Sequence, residues 1–67
     1  MPKLPVLSGK ELIKILEKHG YSIVRQKGSH ARLRNFDITK KPLTVPLHQE
    51  IKTGLLHKIL KDADISL

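Results

Sequence analysis

No cysteine occurs anywhere in this chain of 67 residues, and nothing constrains its fold more. Domains of this length bury only about 60% of the surface that their unfolded chains expose. The usual supports for so small a core are disulfides or thiolate-held zinc. Without cysteine neither can form, so apolar packing alone must hold the fold. The chain is expected to be one domain over residues 1–67, with no room for a second lobe or a doubly wound cofactor fold. Where the apolar residues fall then decides the architecture.

Ser8-Gly9-Lys10-Glu11 has the spacing of a capping box, in which the serine side chain takes the third helical amide and the glutamate reaches back. Leu12, Ile15, Leu16 and His19 follow at helical spacing, and Gly20 stands where a left-handed terminating residue is wanted, so a helix is predicted over 9–19. Tyr21 to Gln26 mixes aromatic and β-branched residues, Lys27-Gly28-Ser29 signals a turn, and His30 to Asn35 alternates polar with apolar. That pattern is a hairpin. Leu43-Thr44-Val45 makes a short third strand ended by Pro46, which cannot donate to a ladder. From Thr53 onward Leu55, Leu56, Ile59, Leu60 and Ala63 recur at helical spacing, placing a second helix through Asp62. Two amphipathic helices cover one face of a small sheet and no more. The expected fold is α+β in the order α-β-β-β-α, with both helices on one face of a three-stranded antiparallel sheet. Its expected core is Leu12, Ile15, Leu16, Leu33, Val45, Leu56, Ile59 and Leu60.

Lysine and arginine number 13 against 6 acidic residues, a formal charge of +7. Such a balance favours a polyanionic partner, with nucleic acid ahead of an anionic membrane or an acidic protein. Tyr21 and Phe36 are the only aromatics, too few for a single-strand binder that works by base stacking. The first residues resemble neither a signal nor a transit peptide, and no apolar run approaches the roughly 18 residues of a membrane span. A cytoplasmic location is expected, with no membrane partner.

Alternation along the second strand sends Ala31 and Leu33 to the core and His30, Arg32 and Arg34 to the open face. A two-residue turn would add Arg25 to that face, whereas a three-residue turn without a bulge would send it to the other. An imidazole can exchange a proton near neutral pH, which makes His30 a candidate base, and the arginines beside it can grip a phosphodiester. On spacing alone the competing reading is an ordinary surface histidine. A base beside fixed cations suits RNA cleavage, in which the ribose 2′-hydroxyl attacks the adjacent phosphorus without a metal or a protein nucleophile. Ser29 is not read as a nucleophile, since adjacent residues of an extended chain point to opposite faces and no acid orients the pair. It suits a turn-tying role instead. His48, on irregular chain beyond Pro46, is the second candidate, as proton donor or phosphate contact. His19 suits the negative end of a helix dipole, and His57 lies off the apolar stripe. No histidine pair has the i, i+4 spacing of helical metal ligands, and the glycines match no nucleotide-binding loop. Neither a metal nor a small-molecule cofactor is expected.

Leu4-Pro5-Val6-Leu7-Ser8-Gly9-Lys10-Glu11-Leu12, Gly20-Tyr21, Arg25-Gln26-Lys27-Gly28-Ser29-His30, Val45-Pro46-Leu47-His48 and Gly54 before Leu56-His57-Lys58-Ile59-Leu60 occur in this order. Together they resemble the HicA family, the small toxins of type II toxin–antitoxin systems, over nearly the whole chain. The resemblance implies a double-stranded-RNA-binding-domain-like fold. It also implies an mRNA interferase, a ribonuclease that cleaves messenger RNA until a HicB-type antitoxin sequesters it. The family's catalytic histidine falls on His30, and Gly28 and Ser29 match the residues before it. With Arg25, Lys27, Arg32, Arg34 and His48 these two make up the expected RNA-binding set. Two positions depart from the family pattern. Leu55 stands where a threonine often follows the glycine, which removes a capping hydroxyl, and Leu33 stands where an aromatic often follows the histidine by three. A non-catalytic RNA-binding module on the same fold, or a degenerate member that binds only a partner protein, are the alternatives.

Overall fold

The computed structural model describes residues 6–65. Its elements run α1 (Gly9–Lys18), β1 (Tyr21–Lys27), β2 (His30–Asn35), β3 (Leu43–Pro46) and α2 (Thr53–Asp62). The sheet is antiparallel in the order β1-β2-β3, and the fold is the expected double-stranded-RNA-binding-domain-like α-β-β-β-α.

The capping box forms as its spacing requires. Ser8 Oγ accepts from the Glu11 amide at 3.1 Å, and the Glu11 carboxylate accepts from the Ser8 amide at 3.0 Å. The Ser8 backbone bond is the chief reason that the Glu11 carboxyl lies below its ordinary pKa. The helix ends at Lys18, with His19 as its C-cap and Gly20 at φ 95°, one residue earlier than the spacing suggests. Gly9, Leu12, Ile13 and Leu16 form the buried stripe. Ile15 is a correction: it is only half-buried, because Ile13 completes the i, i+3, i+4, i+7 face that meets the sheet.

Ala31 and Leu33 of β2 face this stripe together with Leu43 and Val45 of β3, and Leu56, Ile59 and Leu60 of α2 close over the same side. Tyr21, Ile51 and Ala63 complete the core. The Tyr21 hydroxyl donates to the Lys41 carbonyl at 2.9 Å, and burial of the ring pushes its pKa up. A short ion pair, Lys40 to Asp64 at 3.1 Å, links the β2–β3 loop to the end of α2. Phe36 and Ile38 in that loop stand almost fully exposed.

The hairpin carries the one irregularity that sequence reasoning did not supply. Lys27 pairs with His30, Gln26 with Ala31 and Arg25 with Arg32, but beyond the break Ile23 pairs with Leu33 and Tyr21 with Asn35. Val24 is therefore the extra residue of a β-bulge. Tyr21 and Arg25 would share a face in a regular strand. The bulge lets Tyr21 enter the core while Arg25 faces solvent.

Candidate active site

Cross-strand partners share a face, so the register lays out the open side of the sheet row by row. Lys27 and His30 form the row nearest the turn, Arg25, Arg32 and Thr44 the next, and Ser22 with Arg34 the last. The turn between β1 and β2 is Gly28-Ser29, a two-residue loop, which settles the face of Arg25. Gly28 has φ 58° while Ser29 does not share a positive φ, the signs of a II′ turn that starts on glycine. Four cations and His30 thus stand on one exposed face. Arg32 Nη1 donates to Thr44 Oγ1 at 2.9 Å, fixing the guanidinium over β3 beside His30. Arg34 lies about 13 Å along β2 from His30 at the usual rise per residue. It lines a separate hollow with Ile38, Lys40 and Pro42.

His48 comes to the same place by a different route. The Ser29 carbonyl accepts from the Leu47 amide, and the His48 carbonyl accepts from the Gly9 amide at 2.9 Å. Ile51 is tied in turn to the Leu7 carbonyl at 2.8 Å. These bonds lash the chain after β3 to the hairpin turn and to the start of α1. A Cβ on Gly9 would run into the Pro46 carbonyl and the Leu47 backbone, so only glycine allows this close crossing. The His30 and His48 rings consequently meet edge to face, with centroids 6.5 Å apart and planes at 66°. One phosphodiester group, hydrogen-bonded at about 2.8 Å on each side, can reach both rings.

The two histidines open onto a groove of about 440 Å³ that continues past β3 to the start of α2. Thr44, Pro46, Glu50, Ile51, Lys52 and Leu55 form the rest of its lining. The N-cap of α2 is Lys52 with no side-chain hydrogen bond, leaving the first-turn amides and the positive end of the helix dipole uncapped by any side chain. Position 55 is the third residue of the helix, so the threonine expected there by resemblance would not be its N-cap. Leu55 supplies apolar wall to the groove instead. His19 and His57 are exposed and line neither side of it.

A family model described as the HicA toxin of bacterial toxin-antitoxin matches residues 9–65, from the first residue of α1 to beyond the end of α2. The chain belongs to the HicA toxin family. As a HicA toxin it is one component of a toxin–antitoxin system. No curated protein and no solved structure matches it significantly. In this HicA chain the matched span contains every residue of the open face and the groove described above. Of the groove's lining, Lys52 was read from sequence only as a loop lysine able to extend a phosphate-binding surface, and Glu50, Ile51 and Leu55 were not singled out. Their position depends on how the chain after β3 docks, which no local pattern encodes. The apolar Ile51, isolated between polar neighbours ahead of a helix, was the one available hint.

Proposed function

We propose that this HicA toxin is an endoribonuclease, an mRNA interferase acting in the cytoplasm, which cleaves by a metal-independent transesterification. The observation that carries this reading is the meeting of His30 and His48, 6.5 Å apart, at the edge of a cationic sheet face. His30 takes the proton of a ribose 2′-hydroxyl as its oxygen bonds to phosphorus. The bond from phosphorus to the 5′-oxygen breaks, and His48 delivers a proton to that leaving oxygen. The products are a 2′,3′-cyclic phosphate and a free 5′-hydroxyl. Arg32, held by Thr44, stands where it can balance charge building on the phosphoryl oxygens, while Arg25, Lys27 and Arg34 hold flanking phosphates. Gly28 and Ser29 act through the turn, whose backbone sets His30 and anchors the His48 segment. The neutralising partner is a HicB-type antitoxin with an acidic contact surface.

Incubation with a labelled single-stranded RNA in EDTA tests the chemistry. Cyclic-phosphate ends, later opening to 3′-phosphates, are expected. Products bearing 5′-phosphate, or activity that disappears with chelation, would overturn the mechanism.

A further inference from the structure

The groove beyond the histidine pair is unlike the face that leads to it. Its floor and far wall are apolar, made by Pro46, Ile51 and Leu55, and its one acid is Glu50. Among the described residues Glu50 makes no ion pair and no side-chain hydrogen bond, so its carboxylate is free to accept. In a chain of charge +7 a carboxylate at the edge of a phosphate-binding site works against phosphate. What suits this end of the groove is a neutral, flat, partly apolar group that carries N–H donors. Resting on the ribonuclease reading above, we propose that it is a nucleobase pocket that seats the base next to the scissile phosphate and selects guanine through Glu50.

The chemistry ranks the bases. Two carboxylate oxygens accept in parallel from adjacent donors. On its Watson–Crick edge guanine offers an imino N–H beside an amino group, a bidentate match. Adenine and cytosine each offer one amino group flanked by a ring acceptor. Uracil offers a single N–H between two carbonyl oxygens, both of which repel a carboxylate. Pro46, Ile51 and Leu55 supply apolar contact to the ring faces, which every base can use, so they contribute affinity and Glu50 the choice. The volume, about 440 Å³, falls within the range of small-ligand sites, and Lys52 at its rim is placed for the phosphate of the seated nucleotide.

Two measurements on the full-length chain decide it. Cleavage of a random-sequence RNA pool, with cut sites read by sequencing, should show guanine enriched over uracil next to the cut by on the order of tenfold, the scale of a bidentate base contact. Glu50→Gln should remove most of that preference without abolishing cleavage, because the variant amide accepts from and donates to either base. Leu55→Ala should raise KM for RNA several-fold with kcat little changed, since Leu55 is partly exposed and its truncation spares the core. An unaltered cut-site spectrum in Glu50→Gln would overturn the pocket while leaving the ribonuclease reading intact. Independently, titration of the His30→Ala protein with 3′-GMP and 3′-UMP should shift the Ile51 and Leu55 methyl resonances, with tighter binding of 3′-GMP. If RNA is never cut but 3′-GMP binds in this way, the ribonuclease reading fails and the pocket stands. Methyl resonances unmoved by either nucleotide at millimolar concentration would overturn the pocket.

Discussion

His30 can serve as a base because it begins β2, immediately after a turn that only a glycine starts without strain, and its ring projects from a face that no helix covers. It contributes little to the core, so His30→Ala should change stability by no more than about 0.5 kcal/mol. RNA binding should persist through the arginines, while cleavage slows by roughly 10²- to 10⁴-fold. Wild-type cleavage by a nuclease-free preparation of this variant would remove the base from the mechanism. His48→Ala should give a comparable loss that is smaller for a substrate with a good leaving group, which needs no proton from the enzyme. Gly9 offers a sharper residue-scale test. Replacing a helical glycine with alanine ordinarily stabilises by about 1 kcal/mol. Here the added methyl meets the Pro46 carbonyl and Leu47 Cα. Gly9→Ala should therefore destabilise by roughly 1–3 kcal/mol, the usual cost of overpacking, and should displace His48. A raised midpoint in urea would show that the crossing is looser than described.

At the scale of elements, the capping box makes α1 sensitive to acid. The Glu11 carboxyl is held below its ordinary pKa by the Ser8 backbone bond first and the Ser8 side chain second. Folding is then favoured by the ionised form. Its contribution is present above the unfolded value, about 4.3, and is lost as pH falls through the folded one. Asp37, lowered mainly by the Thr39 hydroxyl, adds to the same trend. Urea midpoints at pH 7 and pH 3 should show wild type ahead of Glu11→Gln at the higher pH and level with it at the lower. An equal gap at both would mean that the carboxylate is not the operative group. The start of α1, the strand β2 and the bounds of α2 were legible in the sequence because each is written locally, in a cap, an alternation or a stripe. Ile13 was missed for Ile15 because one helix turn offers two apolar residues and only the sheet chooses between them. The Val24 bulge was not legible either. It reconciles two demands, Tyr21 inward and Arg25 outward, that appear only once β1 and β2 are in register. His30, Arg32 and Arg34 were readable from alternation, whereas the face of Arg25 waited on the length of the turn. The approach of His48 was not readable, since it depends on bonds from Leu47 to Ser29 and from Gly9 to His48.

For the molecule as a whole, charge of +7 with one strongly cationic face means that RNA association should be governed by counterion release. Each phosphate neutralised on a single strand contributes about −0.7 to the slope of log affinity against log salt, so Arg32→Ala and Arg34→Ala should each flatten that slope by about that amount. The same field determines how the toxin can be silenced. An acidic antitoxin is drawn to the positive face, and by covering His30, Arg25, Arg32 and Arg34 it would exclude phosphate and base together. Lysines report on this directly because they lie on opposite sides of the fold. Lys27 shares the open face with His30 and Lys52 lines the groove, while Lys14 and Lys61 are exposed on the helices. Acylation of the toxin alone and in its antitoxin complex, read by mass spectrometry, should show Lys27 and Lys52 protected by the partner and Lys14 and Lys61 still reactive. Charge-reversing substitutions in the antitoxin should weaken that protection as salt does. Protection of Lys14 and Lys61 with Lys27 and Lys52 left open would place the antitoxin on the helices, and inhibition would then have to act through the fold rather than by occupying the phosphate site.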